Sequence, residues 1–166
     1  MQQLYSTGSM EALGNGNLTE GSGGQPDAWT QSDGSAGTFG WDPTTSYAGG
    51  GSATLSATGG NSSVVPSFEQ TSAAVPTVTG ERFVATAWAK GAGVTGTNTI
   101  AIAWFGASGN YLGSTSSAVL PTGDPGWTQL TVASPAPAGA AYDEVHLKSE
   151  DNTGTVWYSN VGLTAG

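Results

Sequence analysis

Residues 82–90 read RFVATAWAK, residues 99–105 read TIAIAWF and residues 144–149 read EVHLKS. Each alternates with a period of two, the repeat of a strand whose successive side chains point to opposite faces. In the third, Val145 and Leu147 share a face predicted to be core, while Glu144, His146 and Lys148 share the other. In the first, Phe83, Ala85, Ala87 and Ala89 oppose Val84, Thr86, Trp88 and Lys90, so neither face is plainly polar and a tryptophan lies beside a lysine. In the second, Ile100, Ile102 and Trp104 oppose Ala101, Ala103 and Phe105. The small-residue face reads either as covered by another sheet or as the floor of a groove.

The same period extends outward. Strands are predicted near Ala28–Gln31, Ala53–Thr58, Val64–Thr71, Arg82–Lys90, Thr99–Phe105, Tyr111–Ser114, Trp127–Ala133, Glu144–Ser149 and Thr155–Leu163. Between them lie stretches such as GSGGQPD, DPTTSYAGGGS, KGAGVTGT and PTGDPG, rich in residues that supply positive φ or preset turns. No helical period competes. Composition agrees: charged residues are 9% of the 166-residue chain and glycine occurs 27 times, which starves any helix of its usual formers. Short strands with such punctuation predict an all-β sandwich of two antiparallel sheets.

The charge balance excludes partners. Three Lys and Arg against 12 Asp and Glu give a net charge of -9, so no basic patch exists for a nucleic-acid backbone, and anionic membranes and acidic polysaccharides are repelled. No cysteine is present, which removes thiol catalysis and cysteine-based metal sites. The first residues, MQQLYSTGSMEALGNGN, have neither a cationic start nor an apolar core, so they do not read as a secretory signal peptide. If Met1 is the natural start, the product meets the exterior through lysis or a dedicated export route; if it was added to a cut-out module, that inference lapses. Residues 1–14 carry Leu4, Tyr5, Met10 and Leu13 at irregular spacing and read as an N-terminal arm, disordered or ordered against a partner, with the domain proper over 15–166.

Catalytic constellations fall short. The single histidine, His146, sits on a strand with no nucleophile elbow elsewhere, and the neighbouring carboxylate pairs Asp143/Glu144 and Glu150/Asp151 point to opposite faces rather than across one bond. The aromatic residues are more informative, since indole and phenol rings stack on the apolar faces of sugars while nearby polar groups bond the hydroxyls. Trp29, Trp104 and Trp127 are expected in the core. Trp41, in the loop-like FGWDPTTSY with Asp42 and Tyr47, is a candidate ligand contact, as are Trp88 beside Lys90 and Tyr111 after ASGN.

In order along the chain, NGNLTEG (15–21), PDAW (26–29), GGGSATLSAT (49–58), VTGERFVATAWAKG (78–91), IAIAWFGASGNYLG (100–113), GWTQLTVASPAPAGAAYDEVHLKS (126–149) and VWYSNVGL (156–163) resemble the successive motifs of jelly-roll carbohydrate-binding modules of the galactose-binding-like superfamily, of the type attached to xylanases and glucanases. The resemblance implies a β-sandwich jelly roll that binds sugar. It also implies a structural calcium held by an opening Glu and a closing Asp. Those positions hold Thr19 and Ser159-Asn160 here, leaving Glu20 and Asn160 as the neighbouring oxygen donors.

Two functional readings follow. One is non-catalytic binding of a neutral glycan, a polysaccharide or cell-surface glycan, through Trp41, Asp42, Tyr47, Trp88, Lys90, Tyr111, His146 and Lys148. The other is a structural phage virion protein, a capsid decoration, fibre or tail appendage, that uses the fold as an exposed knob and docks on capsid or tail proteins through residues 1–14. Both place the domain outside the cell or on a virion surface, and the two are compatible. A glycan-cleaving enzyme on the same fold would need a catalytic His/Tyr/Lys group that the sequence does not assemble.

Overall fold

The computed structural model describes residues 12–61 and 63–166. Its strands are β1 (Gly21–Ser22), β2 (Gln25–Pro26), β3 (Thr30–Ser32), β4 (Thr38–Asp42), β5 (Ser52–Ser56), β6 (Ser67–Thr71), β7 (Arg82–Ala92), β8 (Thr97–Gly106), β9 (Tyr111–Ser116), β10 (Thr128–Pro135), β11 (Ala140–Glu150) and β12 (Thr155–Ala165). Apart from the small β1-β2 hairpin, they form two five-stranded antiparallel sheets: sheet I in the order β10-β7-β12-β5-β4 and sheet II in the order β3-β6-β11-β8-β9. This is an all-β jelly-roll sandwich, as the sequence predicts.

The alternation decides what lies between the sheets. Phe83, Ala85, Ala87 and Ala89 of β7 are fully buried, as are Ile100 and Ile102 of β8 and Val145 and Leu147 of β11. Alanine is what lets the sheets approach, and aromatics interlock where room remains. Phe83 meets Trp104 edge-on at 4.9 Å and Phe39 meets Phe68 edge-on at 5.2 Å, each pair crossing from one sheet to the other. The buried Trp104 indole donates to Ser134 Oγ at 2.9 Å. Tyr158 lies between the sheets with its hydroxyl shared by the carbonyls of Thr99 and Lys148. Burial pushes that phenol well above its ordinary range.

Several sequence expectations change. Trp41 does not sit in a loop: residues 38–42 form the edge strand β4, paired with β5, because Phe39 and Trp41 alternate inward and Gly40 fits closely beside Thr54. Trp127 is not in the core; it stands on the outside of sheet I, whereas Trp29 and Trp104 are buried as expected. A strand starting at Ala28 is ruled out by its positive φ of 69°, and β3 begins at Thr30. The expected arm over 1–14 lies outside the described residues up to position 11. Of its remainder, Ala12 and Leu13 are buried in the core cluster, and Gly14 exchanges hydrogen bonds of 2.6 and 2.9 Å with the Gln70 side chain.

Candidate functional site

The eight candidate binding residues do not converge on one place. Asp42, Tyr47, Trp88 and Lys90 lie on the outer face of sheet I. Tyr111, His146 and Lys148 lie on the outer face of sheet II, across the thickness of the sandwich. Trp41 belongs to neither face: its ring packs against Gly21 and its Nε1 donates to the Leu18 carbonyl at 2.8 Å.

On sheet I the aromatic groups satisfy one another. The loop from Pro43 to Gly51 is tied down by the Tyr47 amide on Ser159 Oγ (3.2 Å), the Ala48 amide on Asn160 Oδ1 (3.2 Å) and Ser52 Oγ on the Thr45 carbonyl (2.6 Å). It lays the Tyr47 ring flat on Trp88, with centroids 3.6 Å apart and planes within 5°, and edge-on to Trp127 at 6.3 Å. Lys90 Nζ stands 5.9 Å from the Trp127 ring and 5.5 Å from the Trp157 ring, a double cation–π contact. Asp42 accepts at Oδ1 from the Thr44 amide, the Thr44 hydroxyl and the Thr45 amide, and at Oδ2 from Trp157 Nε1 (3.0 Å). Burial opposes its ionisation, but these donors outweigh it and hold the carboxyl far below the usual carboxylate range. The face of Trp88 that a sugar would stack on is therefore already covered by Tyr47.

Sheet II presents a groove. The register sets Glu69 opposite His146 and His146 opposite Ala101, which in turn faces Ser116; one step along, Glu144 faces Ala103 and Ala103 faces Ser114. Both alanines are buried beneath the flanking side chains, and Ala103 borders the cleft between Glu144 and His146 on β11 and Ser114 on β9. A cleft of about 240 Å³ is bordered by Asp33, Ala103, Tyr111, Ser114, His146 and Lys148. A neighbouring cleft of about 380 Å³ is bordered by Thr30, Glu69, Gln70 and Glu144. At the lip Tyr111 is 62% exposed, its hydroxyl donating to Ser114 Oγ at 3.0 Å and its ring standing edge-on to Phe105, itself stacked on Tyr142 at 5.2 Å. In the wall, His146 Nε2 is 2.9 Å from Glu144 Oε1 and Nδ1 is 3.7 Å from Glu69 Oε1. Lys148 Nζ donates to Ser116 Oγ at 3.3 Å.

Sequence reasoning missed Glu69, Ser114 and Trp157 as members of these faces. For Glu69 a weak signal existed in the alternation of SFEQT, but only the pairing of β6 with β11 sets it beside His146.

The expected calcium pair, Glu20 and Asn160, lies beside the loop that covers Trp88 only through Asn160. Asn160 Oδ1 takes the Ala48 amide and lies 2.8 Å from Ser159 Oγ, while Asn160 Nδ2 reaches the Gly49 carbonyl at 3.4 Å. Glu20 is exposed, and its backbone rather than its side chain is engaged, by Asn15. These two side chains offer one carboxylate and one amide oxygen, so a calcium ion held here would draw its remaining oxygens from backbone carbonyls and water.

No protein-family profile matches the chain, and no curated protein matches it in sequence. Solved structures do match in fold. A domain of tailspike protein 4 of bacteriophage CBA120, described as enzymatically active, is 20% identical over 95% of this chain, with a TM-score of 0.68; the match spans 22% of the tailspike chain. A cyclase from Fischerella sp. TAU is 17% identical, covering 93% of this chain and 96% of its own, with a TM-score of 0.67. A family 16 carbohydrate-binding module is 20% identical, covering 89% of this chain and 99% of its own, with a TM-score of 0.57. At such identities the likeness is one of fold, a jelly-roll sandwich that a tailspike domain, a cyclase and a carbohydrate-binding module share. Among the described residues, no helix is long and apolar enough to cross a membrane.

Proposed function

We propose that this domain binds a neutral glycan without catalysis, in the groove on the outer face of sheet II. The observation that carries the reading is the exposed Tyr111 ring at the lip of a cleft whose lining supplies hydroxyl, carboxylate, imidazole and ammonium groups. A sugar ring stacks on the phenol while its hydroxyls find donors and acceptors in His146, Lys148 and Ser114. The net charge of -9 disfavours acidic glycans. The shared fold of the family 16 module supports the reading; on this reading the domain acts outside the cell, where polysaccharides and surface glycans are met.

A second reading, a virion surface component that adheres to host glycans, is favoured by one observation: the same fold recurs as a part of a phage tailspike. It would use the same groove.

Affinity electrophoresis and pull-down against a panel of neutral polysaccharides test the site. Tyr111→Ala is expected to weaken retention at least about tenfold, the loss of one stacking contact, while Trp127→Ala on sheet I leaves it unchanged. Retention lost in Trp127→Ala and kept in Tyr111→Ala moves the site to the opposite face. No retention of the wild-type protein on any glycan overturns the binding reading.

A further inference from the structure

We propose that Glu69, His146 and Glu144 bind a single divalent transition metal of the zinc class. The inference does not depend on glycan binding, although the three residues belong to the same groove wall.

The backbone builds the site. His146 and Glu144 are two residues apart on β11 and so project from the same face, and Glu69 is the direct cross-strand partner of His146 on β6. One donor atom from each side chain lies within 4.8 Å of the other two, a spread that small side-chain rotations close around an ion with bonds of about 2.0–2.2 Å. His146 is flanked on both ring nitrogens, by Glu144 at 2.9 Å and by Glu69 at 3.7 Å. An ion on Nε2 is met directly by Glu144, and Glu69, which rests near Nδ1, joins it by turning its flexible side chain around the ring edge. Glu69 is steadied in turn by Ser67, whose hydroxyl donates to Oε1 at 2.9 Å.

Electrostatics point the same way. Two carboxylates share the site, and the nearby cation, Lys148, is engaged by Ser116 across the groove. The side chains are only 16–26% exposed, so their charges are less screened than on an open surface. The clefts on either side leave room for an ion to enter and for water to complete its shell. A mixed nitrogen and carboxylate donor set selects zinc, nickel, cobalt or copper, whereas calcium and magnesium favour oxygen alone.

The single histidine of the chain makes the test direct. Tag-free protein is titrated with zinc chloride, without glycan, by calorimetry and by the imidazole NMR signals, which belong to His146 alone. Expected are one zinc per chain, a saturable shift of those signals, and a visible absorption band when cobalt chloride replaces zinc. His146→Ala and the near-isosteric Glu69→Gln each weaken zinc at least tenfold while Asp27→Asn, on the exposed turn after β2, does not. Imidazole signals that zinc leaves unmoved in the wild-type protein, or zinc affinity unchanged in His146→Ala, overturn the proposal. Because no glycan is present, failure here leaves the glycan assay to succeed or fail by itself.

Discussion

Asp143 shows how far one residue's chemistry is set by its surroundings. It precedes Glu144 on β11, so alternation turns it inward, where it is fully buried with neither carboxylate oxygen paired to a described residue. Burial pushes its pKa up to about 7, and the charge of Glu144 adds to the shift. In the unfolded chain the same group titrates at about 3.9. Below that value both states hold the proton and the full stability is present. Between about 4 and about 7 the unfolded state sheds its proton while the folded state keeps it, so stability falls as pH rises, and the loss is complete above the folded pKa. Urea denaturation at several pH values is expected to show this decline, and Asp143→Asn is expected to flatten it. A slope unchanged in the variant would assign the effect to other groups. The sequence showed Asp143 only as half of an adjacent carboxylate pair. That the pair divides between core and groove was legible from the period of two.

At the scale of elements, the loop between β4 and β5 has the largest consequence for the outer face of sheet I. It passes so close to Asn17 that a Cβ on Gly50 would lie 2.2 Å from the Asn17 carbonyl oxygen, and Gly50 has a φ of +91°. Both constraints demand glycine. Gly50→Ala is expected to cost about 1–3 kcal/mol in chemical denaturation and to weaken the near-ultraviolet signal of the Tyr47–Trp88 stack. An unaltered signal would show that the stack does not depend on this close approach. The sequence marked this segment as a loop from its Pro, Thr and Gly content, correctly for residues 43–51. It took Trp41 and Asp42 as part of the same loop, because a five-residue edge strand containing a glycine carries too little alternation to stand out. Which of the two then faces outward follows from the pairing of Trp41 with the buried Ala53.

For the whole molecule, stability rests on the contact between the two inner faces, and Phe83 against Trp104 is its largest aromatic crossing. Phe83→Ala is expected to destabilise by about 3–5 kcal/mol, read from the shift in urea midpoint, because a fully buried ring is replaced by a cavity that the surrounding core closes only in part. A cost below about 1 kcal/mol would mean the sheets collapse over the gap. The sequence by itself determined the all-β class and the inner faces of β7, β8 and β11, because strand alternation is a local property that no packing reverses. The tertiary structure alone decided how the candidate residues divide. Tyr47 covers Trp88, Trp127 stands outside, and Glu69 meets His146, since each depends on which strands become neighbours and how a loop folds back. Those are contacts between residues distant in sequence, and a period of two carries no record of them.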